Sequence, residues 1–136
     1  MKIPLVFAWF CALMVSAGAV LAGPTLTIRL VDASNSGQGA GGGLEDVAQL
    51  LKENLPFNSF RLVANRSMPL PANGTVSLAE GIQARCSGDQ RNLSVAIERG
   101  GKAQIQSTVE LRNNTPLILG GMPSDKGKLI VILLAK

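Results

Sequence analysis

Residues 25–31 (TLTIRLV) alternate polar and apolar side chains, which puts Leu26, Ile28 and Leu30 on one face. Successive side chains of a strand point to opposite sides of its sheet, so this period of two predicts a half-buried strand. The next stretch, about residues 32–43 (DASNSGQGAGGG), has no apolar period and is dominated by glycine and small polar residues. It offers little to bury against the backbone entropy it would lose on ordering, and a flexible Gly-rich loop is predicted. At Leu44 the period changes. Within residues 44–54 (LEDVAQLLKEN) Leu44, Val47, Leu50 and Leu51 share one helical face, while Glu45, Asp46, Gln49, Lys52 and Glu53 take the other. Acidic residues open the segment and Pro56 closes it, so a single amphipathic helix is predicted at about 44–54, laid against a sheet.

From Phe57 onward the pattern reads as strands and turns. Short amphipathic or alternating runs occupy 60–63, 75–78, 82–86, 93–97 and 103–111. Asn73-Gly74 and Ser87-Gly88-Asp89 carry turn chemistry, and Glu98 to Lys102 with its central Gly100-Gly101 predicts a hairpin. Pro69 and Pro71 lack the amide hydrogen a sheet ladder needs, so residues 68–71 are excluded from a central strand and are expected to guard an edge. Residues 116–119 form a further apolar run, residues 120–128 (GGMPSDKGK) a polar connection, and Leu129 to Leu134 a continuous aliphatic run of the kind buried on both faces. The fold class is therefore mainly β (α+β): an antiparallel β-sandwich or barrel-like sheet of about 6–8 strands with one packed helix.

Ahead of this pattern lies a segment of another kind. Lys2 is followed by an apolar stretch from Ile3 to Val15, then by small residues at 16–19 and by Val20-Leu21-Ala22. A basic start, an apolar centre and small residues near a cleavage point define an export signal, so residues 1–22 are read as a signal peptide in helical form. Residues 23–136 then make a single small β-rich domain, periplasmic or secreted, with no stable membrane anchor after cleavage. A retained transmembrane anchor is the alternative, disfavoured because no basic stop-transfer cluster follows. Cys11 lies within the apolar stretch behind Trp9 and Phe10, which is not a lipid-attachment context.

Composition mainly excludes. The formal net charge is +4 over 136 residues, with basic residues spread along the chain and no tyrosine. Nothing here tracks a phosphate backbone or stacks on bases, so nucleic acid is not an expected partner. There is no histidine, which removes Ser-His and Cys-His nucleophilic machinery and the commonest zinc ligand. The nine carboxylates, Asp32, Glu45, Asp46, Glu53, Glu80, Asp89, Glu98, Glu110 and Asp125, fall mostly in predicted turns or on the exposed helix face, with no calcium-loop spacing. The Gly-rich loop has no GK[ST], and acids open the helix behind it, so it is no phosphate cradle. No catalytic, cofactor-binding or metal-binding residue is nominated, no cofactor is expected, and the chain is not read as an enzyme. Beyond the signal segment Cys86 stands alone, expected as a half-buried thiol, with a disulfide-linked dimer as the sharper alternative. Asn-x-Ser/Thr sequons occur at Asn65, Asn73, Asn92 and Asn113.

Residues 115–136 (TPLILGGMPSDKGKLIVILLAK) resemble a stretch of bacterial outer-membrane secretins, through Thr115, Leu117, Leu119, Gly120 and Gly121 followed by the aliphatic run at 129–133. Ser107 to Arg112 resembles the preceding secretin strand, and the helix with its following LPFNSFRLV resembles the small helix-and-sheet modules that secretins carry in the periplasm. The resemblance covers about a quarter of the chain. It implies a compartment and a class of partner and carries over no functional residue. The functional expectation is a non-catalytic accessory or structural subunit of a bacterial envelope assembly of secretion or pilus type, with protein partners in the envelope. The alternative is a module binding a small ligand or surface through the loops at 37–43 and 120–128.

Overall fold

The computed structural model describes residues 24–79, 81–125 and 127–136; the signal segment expected at 1–22 lies outside the described residues. In chain order the elements are β1 (Thr25–Ser34), β2 (Gly39–Ala40), α1 (Ala48–Asn54), β3 (Ser59–Pro69), β4 (Ala72–Ala79), β5 (Ile82–Asp89), β6 (Asn92–Arg99), β7 (Lys102–Val109), β8 (Leu117–Pro123) and β9 (Gly127–Ala135). They form a five-stranded sheet ordered β2-β3-β1-β9-β8 and a four-stranded meander ordered β4-β5-β6-β7. Strand pairs are antiparallel except the short β2–β3 contact, which is parallel. The mainly β, sandwich-like architecture with one helix is as the pattern predicts.

Alternation along β1 and β9 explains the layering. Leu26, Ile28 and Leu30 of β1 and Leu129, Val131 and Leu133 of β9 are buried in one cluster with Ile82, Ala84 and Cys86 of β5 and Leu93, Val95 and Ile97 of β6. The opposite face of the five-stranded sheet gives Val31, Ala33, Phe60, Ile130 and Ile132, which pack with Leu44, Val47 and Leu51. The molecule is thus three layers, with the five-stranded sheet between the helix and the meander. The aliphatic run of β9 sits at the interior of that middle layer, where both strand faces leave water, and each fully buried Leu or Ile contributes about 1.5–3 kcal/mol there.

Several boundaries differ from expectation, each for a physical reason. The Gly-rich segment is not a free loop. Asp32 to Ser34 extend β1, and Gly39-Ala40 pair with Ser59 and Phe60. Asn58 fixes the intervening turn, its Oδ1 accepting from Gly37 N at 2.9 Å while its own N donates to Asn35 Oδ1 at 3.2 Å. The helix begins at Ala48 and not at 44: Val47 N donates to Leu44 O at 3.0 Å in a tight turn and Val47 is non-helical (φ −121°, ψ 1°), while Asp46 pairs with Arg29 of β1 at 2.7 Å. Leu44 and Val47 are still buried, as part of the turn that enters the helix. Asn73-Gly74 is not a turn: it lies within β4 opposite Ser87 and Cys86, where pairing along the whole strand overrides local turn preference. Ser87 to Asp89 likewise continue β5, and the chain reverses at Gln90-Arg91, with Asp89 Oδ1 accepting from both Arg91 N and Asn92 N at 3.0 Å. β3 runs eleven residues, far past the expected 60–63, and ends at Pro69. The prolines mark the corner where the chain passes from one sheet to the other. The Gly100-Gly101 hairpin is as expected: both glycines take positive φ (60° and 82°), a conformation open to glycine without a Cβ clash, and Arg99 pairs with Lys102.

Candidate interaction edge and polar cleft

Two paired sheets have four outer strands, and three of these are blunted. β2 is two residues long. β4 has its Ser77 and Leu78 carbonyls occupied by the Arg66 guanidinium, at 3.0 Å from Nε and 3.3 Å from Nη2. β8 loses register between Ile118 and Gly120 and ends at Pro123, whose carbonyl accepts from Arg99 Nη1 at 2.8 Å. These are the devices by which sheet proteins keep edges from pairing with other chains. β7 differs. Six of its eight residues are exposed, it contains no proline and one charged residue, and its one irregularity lies near its start, opposite Ile97/Glu98. From Ile105 to Val109 the register is unbroken, and among the described residues no backbone hydrogen bond joins β7 to any strand but β6.

The inward side chains of this strand, Ile105 and Val109, are only half-buried at the rim of the main core, with Leu117 and Leu119 of β8 in the same condition. The outward face of the meander is polar, with Asn73, Ser87, Ser94 and Thr108 aligned across the four strands. A shallow concavity of about 480 Å³ between Arg85, Ser94, Gln106 and Thr108 marks that face. Arg85 pairs with Glu98 there at 3.3 Å.

The second feature lies at one end of the sandwich. The loop after β1 and the β8–β9 connection meet there around a cleft of about 400 Å³, lined by Asp32, Ser36, Gln38, Arg61, Arg99, Ser124 and Asp125 among others. Asp32 is its hub: it accepts from Arg61 Nη2 at 3.2 Å and from Ser124 Oγ at 3.4 Å, across 92 residues of sequence. The structure therefore brings together the two loops nominated from sequence. Asp32 and Arg61 face each other on β1 and β3 of one sheet, and Arg99 ends β6 of the other, so they were invisible as a group and only the packed fold places them at one mouth.

The remaining chemistry-bearing residues are dispersed. Among the described residues no three Cys, Asp or Glu side chains come close enough to hold a metal ion. Asp46 is held below the usual carboxylate range, first by its hydrogen bond from Arg29. Cys86 is fully buried, not half-buried, in the main core, and burial pushes its thiol up to about 11. A protonated, enclosed thiol is neither a nucleophile nor accessible to a disulfide partner while the sandwich is closed. The four sequon asparagines are all exposed. Among the described residues no helix is long and apolar enough to cross a membrane. No protein-family model, curated protein or solved structure matches the chain.

Proposed function

We propose that this chain is an exported, non-catalytic subunit of a bacterial envelope assembly, joined to its neighbour by strand pairing at β7. The observation that carries the reading is the contrast among the four edges: three are shortened, capped or broken, and β7 keeps an unbroken, uncharged register over Ile105 to Val109, rimmed by half-buried aliphatics. An added strand gains main-chain hydrogen bonds from such an edge and covers apolar rim residues with its inward side chains. The compartment rests on the export signal at residues 1–22 and on the secretin-like stretch at 115–136. The test is native fractionation of gently solubilised envelope from cells producing either the unaltered chain or Ser107→Lys. The unaltered chain is expected in a complex well above its own mass, and the variant at monomer mass with an unchanged unfolding midpoint. An unaltered chain running as a free monomer sinks the reading.

A second reading is supported by the cleft around Asp32. Its mixture of carboxylates, guanidinium groups and hydroxyls suits a small polar ligand that offers both donors and acceptors. Native mass spectrometry of protein purified from its own envelope tests it. A retained small molecule, lost in Arg99→Ala, supports a ligand-binding module, whereas a bare mass in both counts against it.

A further inference from the structure

We infer that the strand accepted by β7 is β7 of a second copy, antiparallel about a two-fold axis at Ser107, fusing two four-stranded sheets into one continuous sheet. This rests on the reading of β7 as a docking edge and names its occupant. Two observations select the second copy. The segment in unbroken register from Ile105 to Val109 holds no charge and no proline, so an identical strand laid against it meets no like-charge pair and no missing donor.

The segment is also self-complementary about Ser107. Side chains directly opposite one another in an antiparallel pair lie on the same face. On the inward side Ile105 of each copy then faces Val109 of the other, flanking a Ser107–Ser107 pair. On the outward side Gln106 faces Thr108, an amide against a hydroxyl, twice. The half-buried aliphatic rim is covered by its own counterpart. An axis at Gln106 would set Ile105 against Ser107 and lose this match.

The flanking charges set the length of the contact. Lys102 begins the strand, and Glu110 and Arg112 follow its end. About an axis at Ser107 the start of one β7 comes opposite residues 111–112 of the other, where Lys102 would approach Arg112, so the ladder is confined to the uncharged segment from Ile105 to Val109. An isologous two-fold contact repeats each of these pairings. A single edge contact of this kind falls in the small, transient class of interfaces, so exchange between monomer and dimer is expected at micromolar concentrations.

The experiment combines sedimentation of the purified protein over a concentration series with cysteine cross-linking. Facing residues of an antiparallel pair have Cα atoms about 5 Å apart, within the span of a disulfide. Ser107→Cys should therefore form a covalent dimer under mild oxidation at least about tenfold faster than the exposed central-strand control Ser87→Cys. Cys86, being buried, takes no part. Ser107→Lys should sediment as a monomer with its unfolding midpoint unchanged. A protein monomeric at every concentration, with Ser107→Cys no faster than the control, overturns the proposal. Fastest cross-linking by Gln106→Cys overturns the stated axis. If the second copy is excluded this way while Ser107→Lys still releases the chain from its envelope complex, β7 docks a different strand and the function above stands. If the variant changes nothing there either, both fall.

Discussion

β9 and β7 are strands of similar length in the same sandwich, and they are opposites. Seven of the nine residues of β9 are buried, on both faces of the middle layer; six of the eight residues of β7 are exposed, at the end of the outer layer. β9 has paired neighbours on both sides, β1 and β8, whereas β7 has one. A strand enclosed on four sides is constrained at every position by packing. One enclosed on two sides is constrained only where its inward residues touch the core. The first is where stability resides, and the second is where sequence is free to serve association.

Substitutions that separate these roles should differ several-fold in effect. Leu133→Ala in β9 removes a fully buried side chain from the main core and should lower unfolding stability by about 3 kcal/mol, read from urea titration. An effect under about 1 kcal/mol would erase the contrast with β7. Next in size is Gly127→Ala at the start of β9. An added Cβ there would run into the Ala33 carbonyl of β1, which is backbone and cannot swing aside. The β1–β9 pairing must shift locally, for an expected loss of about 2 kcal/mol.

On the helix side of the middle layer, Asp46→Asn removes the carboxylate that holds the mostly buried Arg29. About 1 kcal/mol is expected at neutral pH, since the Asp46 side chain is half-exposed and solvent screens the pair. The Asp46 carboxyl is lowered below its ordinary 3.8 in the folded state. Its contribution is therefore complete above that value and is lost as pH falls through the folded-state value. An acid titration of the unfolding midpoint should show that limb in the unaltered chain and a flatter one in Asp46→Asn; identical limbs would assign the acid loss elsewhere. The smallest effect belongs to Thr108→Ala on the outward face of β7, expected to stay within about 0.5 kcal/mol in the same urea titration. A larger loss would mean that β7 supports the fold as β9 does.

The legibility of these features in sequence follows from how local each one is. The aliphatic run 129–134 declares a doubly buried strand, and the alternation of 25–31 a strand with one apolar face, because side-chain period is a local record of where water is excluded. The Gly100-Gly101 hairpin was legible for the same reason, its geometry depending on two adjacent residues. The ordering of the Gly-rich segment was not. It depends on Asn58, 21 residues from Gly37, and on a parallel contact of Gly39 and Ala40 with Ser59 and Phe60. Asn73-Gly74 misled because β5 supplies a partner for every residue around it, and a completed ladder outweighs a turn preference.

The candidate sites divide along the same line. The two loops of the cleft could be nominated as loops, but Asp32, Arg61 and Arg99 became one mouth only through the pairing of β1 with β3 and the packing of the second sheet against them. The character of β7 was written in its residues as a polar, amphipathic strand; its position at an edge was not. Sequence by itself determined the strand-rich class, the single helix and the central apolar strand, since each follows from the period of side chains along a short stretch. Tertiary structure alone decided which strands are outermost and which edges are closed. An edge is defined by the absence of a neighbour, and only the assembled sheet order determines which strand lacks one.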